Sequence, residues 1–127
     1  ARDPLGPEGE ALAAKHLVAL GYRVLGRNLR VRRGEADLLV LAPDRVTVVL
    51  VEVKSRRVPR GEEACFLPPE ASVHAHKREK LRVVLRSLAR ANGWESRPMR
   101  IDVVAIEFKA ETGAEIRHHV DAVSRAG

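Results

Sequence analysis

The sequence is poor in sulfur and in rings. Cys65 is the single cysteine, so neither a disulfide framework nor a cysteine zinc site is available within one chain. Tyr22, Phe66, Trp94 and Phe108 are the only aromatics, too few to build stacking platforms for single-stranded bases. No apolar run approaches the ~20 residues that span a bilayer, and no signal-peptide pattern opens the chain. Internal repeats, low-complexity tracts, phosphate-cradling glycine loops and nucleophile elbows are missing as well. His118 and His119 alternate across a strand, and His74 and His76 diverge on a helix, so no histidine pair has metal-ligand spacing. A cytoplasmic protein without membrane contact is the simplest expectation.

What is present is basic and globular. The 127 residues are 45% hydrophobic and 31% charged, which suits one domain, 1–127, with a real core. The net charge is +6, and 18 of the 23 basic residues are arginine, whose forks bind phosphates bidentately. A nucleic-acid partner fits this charge, and the lack of aromatics points to a duplex or branched duplex. An arginine-rich genome supplying ordinary solvated cations is the competing reading.

The most informative stretch is the hairpin 35–54. Val46 to Lys54 is a nearly unbroken β-branched run, as in a strand buried on both faces, yet it ends in Glu52-Val53-Lys54. Alternation puts Glu52 and Lys54 on one face. A tight turn is expected at 42–45; if its centre falls between Asp44 and Arg45, Asp37 lies opposite Glu52, with Cβ atoms ~5 Å apart. A one-residue slip would part them. Two carboxylates held that close among Val and Leu call for a cation, and oxygen ligands favour Mg²⁺ or Mn²⁺. Asp37, Glu52 and the Val53 carbonyl are the candidate metal ligands. Lys54 is placed to orient water and to stabilise phosphate charge, as phosphodiester hydrolysis requires.

The remaining segments frame that hairpin. After an irregular lead-in to Pro7, a helix is expected over about 8–20, its inner face carrying Ala13, Ala14, Leu17 and Leu20, with Glu10 on the same face. Glu10 is either a dipole partner of the first turn or part of the site. Tyr22 to Arg30 reads as a strand, and Val31-Arg32-Arg33-Gly34 as a turn. Glu35 is either a further ligand or the partner of a nearby arginine. From Ser55 to Ala71 no strand or helix period is found, and a loop is expected. A helix capped by Ser72 follows to Asn92, with Leu81, Val84, Leu85, Leu88 and Ala89 inward. Met99 to Phe108 and Ala114 to Val120 read as the last strands, Asp102 being a site candidate or the ion-pair partner of Arg100. Arg56, Arg57, Lys77 and Arg78 are expected to border the acids and contact phosphates.

Asp37 followed by Glu52-Val53-Lys54 resembles the PD-(D/E)XK nuclease signature, with Ala36 where the signature has proline. Glu10 resembles the additional acid of archaeal Holliday-junction resolvases. More closely, the stretches 6–13, 21–28, 34–38, 51–56 and 100–104, with Lys77, are similar to the bacterial YraN family of small endonuclease-like proteins. The resemblance implies an α/β, restriction-endonuclease-like core, a mixed sheet of about five strands flanked by helices. It further implies a Mg²⁺- or Mn²⁺-dependent endonuclease on branched or structured DNA, with Glu10, Asp37, Glu52 and Lys54 catalytic and, by analogy with resolvases, a homodimer. Two other readings compete: a non-catalytic DNA-binding module keeping this fold, and an interaction domain whose acids form an ion-pair network. The second has to bear the cost of a buried like-charge pair without metal.

Overall fold

In the computed structural model, which describes residues 6–58, 75–110 and 112–122, five strands form a mixed sheet with a helix packed on each face. In chain order the elements are α1 (Gly6–Ala19), β1 (Arg23–Val31), β2 (Gly34–Leu41), β3 (Val48–Val58), α2 (Ala75–Asn92), β4 (Met99–Lys109) and β5 (Gly113–His119). The strands lie side by side in that same order. All neighbours are antiparallel except β3 and β4, which run parallel because α2 lies between them in the chain. This is the α/β plan that the resemblance implies.

The β-branched run behaves as its composition predicts. Val48 to Val51 are at most 1% exposed, because β3 is central and covered on both faces. Leu50 and Val48 join Leu81, Val84, Leu85 and Leu88 of α2; Val49 and Val51 join Ala13, Ala14 and Leu17 of α1.

The hairpin register is the one that sets Asp37 across from Glu52: Leu38 pairs with Val51, Leu39 with Leu50, Val40 with Val49 and Leu41 with Val48. Its turn is locked by local chemistry. The amide of Arg45 donates to the Ala42 carbonyl (2.9 Å), and Arg45 has φ 64°. One Asp44 oxygen accepts from the amides of Val46 and Thr47, both at 2.9 Å, and the other from the Thr47 hydroxyl at 2.7 Å. These bonds from Thr47 and Val46 hold the Asp44 carboxyl at about 2.

Besides shifts of one or two residues at strand ends, three boundaries differ from expectation. Gly6 and Pro7 already belong to α1, since proline is tolerated in a first turn where its missing N–H has no partner to lose. Leu20 is 52% exposed rather than inward. The helix closes at Ala19: Leu20 and Tyr22 donate back to the Leu17 carbonyl, and Gly21 (φ 97°) turns the chain off the inner face. Most consequentially, β3 continues through Ser55, Arg56 and Arg57 to Val58, where a loop was expected. Its parallel ladder with β4 runs to Val58 opposite Lys109, and that pairing outweighs the weak local pattern. The Ser72 cap and residues 59–71 of the expected loop lie outside the described residues.

The first turn of α1 touches β3 without a side chain between them. A Cβ on Gly9 would stand 1.9 Å from Ser55 Oγ and 3.1 Å from Ser55 Cβ. Ser55 Oγ is itself buried with no hydrogen-bond partner. Gly9→Ala should therefore cost about 1–2 kcal/mol through overpacking, despite alanine's better helix propensity. Adding Ser55→Ala should return most of it, since it removes the colliding, unsatisfied hydroxyl. A double-mutant cycle by urea unfolding checks this; additive effects would show that the contact is not the cause.

Candidate active site

The site is built where β2 leaves β3. Their ladder runs only as far as Leu38 and Val51, one step short of the two acids. Beyond that point the Val53 amide donates to Asp37 Oδ2 at 2.9 Å, so a side chain takes the place of a backbone partner. An extended residue points its N–H and C=O to the same side, as the exchange of both bonds in antiparallel pairs requires. The Val53 carbonyl thus faces the same fork. Glu52 meets Asp37 side chain to side chain there and is only 5% exposed.

Electrostatics mark this pair as under-compensated. Burial and then the Glu52 charge push the Asp37 carboxyl from its ordinary 3.8 up to about 7, against the opposing bond from Val53; Glu10 pushes it further the same way. Glu10 is on the inner face of α1 and 9% exposed, so the helix does deliver that acid toward the fork. Small Ala13 and Ala14, both buried, are what let α1 approach so closely.

Two lysines flank Glu52 from different elements. Lys54 Nζ lies 3.7 Å from Glu52 Oε1, as two same-face residues of one strand allow. Lys77 Nζ, from the first turn of α2, comes closer, at 3.4 Å from that same oxygen. Lys77, expected among the phosphate contacts, is thus a partner of the acid as well.

The donors fit a hard divalent cation. They are all oxygen, two carboxylates and a main-chain carbonyl about one fork, and the raised proton affinity of Asp37 shows a site that gains from positive charge. Among the described residues no group of three or more His, Cys, Asp or Glu is placed to hold a metal ion. A cation here would rest on Asp37, Glu52, the Val53 carbonyl and water, the mixed shell that Mg²⁺ keeps.

The other expected phosphate contacts separate. Arg57 and Arg78 are exposed. Arg56, roughly 13 Å beyond Glu52 along β3 at ~3.3 Å per residue, is held by Glu107 of β4. Its Nε and Nη2 donate to Glu107 Oε2 at 3.1 and 2.8 Å, and Arg117 donates to Oε1 at 2.8 Å. Burial raises the Glu107 carboxyl, but these arginines outweigh it and leave it below its ordinary value. Arg56→Ala should thus behave as a structural change, costing roughly 1–3 kcal/mol by leaving a buried carboxylate short of a donor. Chemical denaturation checks it, and an unchanged midpoint would show that Arg56 does not support the fold. Glu35 is exposed and pairs with Arg30 at 3.7 Å, which selects the arginine-partner reading for it.

Asp102 resolves into the structural alternative. It is fully buried on the sheet face opposite Glu52, among the side chains covered by α1. It accepts from Arg100 Nε (3.0 Å) and Nη2 (3.2 Å) and from the Asp121 amide (2.9 Å), and meets His118 Nε2 at 2.8 Å. Arg100 also reaches the Tyr22 hydroxyl, and the Tyr22 and His118 rings meet edge to face.

Comparison with known proteins places the chain among relatives. The model of the family described as "Uncharacterised protein family UPF0102" matches residues 9–106, which carry both acids and both lysines. A UPF0102 protein of Geotalea uraniireducens is 40% identical over 123 residues, 96% of this chain and 91% of that one. One of Symbiobacterium thermophilum is 44% identical over 103 residues, 81% of each chain. One of Acidothermus cellulolyticus is 37% identical over 123 residues, 93% of this chain and 92% of that one.

Proposed function

The chain belongs to the UPF0102 family, the nuclease-like YraN group, and from that premise and the geometry of the fork we propose that it hydrolyses phosphodiester bonds in branched or structured DNA with Mg²⁺ or Mn²⁺. The observation that carries the reading is the carboxyl pair of half-buried Asp37 and buried Glu52, with two lysines at one Glu52 oxygen. A bound cation would supply a polarised phosphate oxygen and a more acidic water. The chain's own residues do the rest. Asp37 and Glu52 hold the negative charge that recruits the ion, and the Val53 amide fixes the orientation of Asp37. Lys54, half-buried beside Glu52, would stabilise the negative charge that grows on the phosphate as the bond breaks. Glu10 reaches the same fork from α1 and adds to its negative field.

The test is cleavage of four-way junction, flap and linear duplex DNA with Mg²⁺ or Mn²⁺ against EDTA. Lys54→Ala should lower the cleavage rate by a factor on the order of 10²–10³ while metal affinity persists, since the carboxylates are untouched. Calorimetric titration separates the two effects. Symmetrical cutting of a junction needs two sites, so the reading includes a homodimer, checked by sedimentation with DNA bound.

One observation favours the non-catalytic DNA-binding reading: Glu52 already has both lysines within 4 Å, so part of its charge is balanced by protein. Tight DNA binding with no cleavage of any substrate in either metal would decide for it.

A further inference from the structure

A cleft of about 400 Å³ adjoins the fork, between the β1–β2 turn and the first turns of α2. Arg30, Arg32, Lys77 and Lys80 line it, with Glu35 as its one carboxylate. Glu35 is already matched by Arg30 at 3.7 Å, so the cleft keeps a surplus of cations. Val31, Leu81 and Val84 also line it, and the β1–β2 turn comes close to α2 because residue 34 has no side chain: a Cβ there would be 2.9 Å from Val84 Cγ2. Lys77 belongs to both places, since its Nζ also stands 3.4 Å from Glu52.

We propose that this cleft seats the sugar–phosphate backbone of the bound DNA strand next to the phosphate at the carboxylate fork, with Arg32 and Lys80 as its phosphate contacts and Lys77 bridging the two positions. The proposal rests on the nuclease reading and extends it to the path of the strand. The lining decides the ligand chemistry. Cationic forks and ammonium groups suit phosphates, while aliphatic walls without an aromatic offer no platform for a base. Contact there is therefore with backbone and independent of sequence. The turn that brings Arg32 is the one leading into the Asp37 strand, so a single hairpin positions both an acid of the fork and a cation of the cleft.

Two measurements on the full chain test this. In EDTA, duplex and junction binding is followed by fluorescence anisotropy over a range of salt. The double variant Arg32→Ala with Lys80→Ala should lose about tenfold in affinity and about 2 from the salt slope, one per phosphate contact. Arg86→Ala with Arg90→Ala removes the same charge from the exposed face of α2 and should change affinity less than about threefold. Equal losses in the two doubles, or none in the first, overturn the proposal. Separately, inorganic pyrophosphate should shift the backbone amide NMR signals of residues 31–34 and 77–81 in the wild type and not in the cleft double. No shift there overturns the cleft whatever the cleavage assay gives. Shifts and tight DNA binding without cleavage support the cleft and remove only the hydrolytic part of the reading.

Discussion

Asp37→Asn is expected to abolish metal-dependent cleavage and, in the metal-free protein at about pH 8, to raise stability above that of the wild type. The sign follows from the proton. In the fold the Asp37 carboxyl titrates near 7, against 3.8 ordinarily, because burial and Glu52 disfavour its charge. Between those values the folded protein holds a proton that the unfolded chain has released. The wild type's stability is thus fully present below about 3.8 and is lost as pH rises through about 7. The amide cannot ionise, yet its oxygen still accepts from the Val53 amide and its nitrogen donates toward Glu52. The variant should gain roughly 1–3 kcal/mol at about pH 8, less than half as much at about pH 5, and almost nothing below about 3.8. Millimolar Mg²⁺ or Mn²⁺ should raise the melting temperature of the wild type and leave the variant unmoved. Thermal unfolding at the two pH values, with and without metal, measures all of this. A variant less stable than wild type by the same amount at both pH values would make Asp37 a structural acid, and the hydrolase reading would fall with it.

The second large effect has the opposite sign and lies on the opposite face of the sheet. Asp102→Ala should cost roughly 3–5 kcal/mol, the usual loss when one member of a buried ion pair is removed. Burial pushes the Asp102 carboxyl up, but the bonds from His118, Arg100 and the Asp121 amide outweigh it and leave the group below its ordinary value. Its stabilising contribution is therefore present above the ordinary 3.8 and lost only as pH falls below it. For a domain of this size the substitution lowers the melting temperature by on the order of 10 °C. Because Asp102 is directed away from the fork, cleavage measured well below that melting temperature should survive. Loss of cleavage in a protein that remains folded would show that the Arg100–Asp102–His118 cluster shapes the site.

These two aspartates contrast in a way that their strands alone do not disclose. Each interrupts an apolar strand, and each is a candidate by sequence. What separates them is the company that the fold brings: Asp102 meets an arginine, a histidine and an amide, while Asp37 meets another carboxylate. Like-charge company with a raised proton affinity is the arrangement expected of a functional acid.

By itself the sequence determined everything that depends on near neighbours. The connection 42–47 closes through Asp44, Thr47 and the left-handed Arg45, all within those six residues. That turn sets the register, and the period of two then carries Asp37 to Glu52 and puts Lys54 on the same face. The inner residues Ala13, Ala14 and Leu17 followed from helical spacing in the same local way. Tertiary structure alone decided which distant partner each exposed charge met. Whether β3 stops at Lys54 or runs to Val58 depends on pairing with a strand that begins 45 residues later in the chain, at Met99. That pairing set Arg56 beside Glu107. The packing of α2 likewise brought Lys77 to Glu52 and closed the cleft against Arg32. Alternation and turn chemistry act over a few residues, whereas an arginine or lysine on a long flexible stem binds whichever carboxylate the completed sheet presents to it.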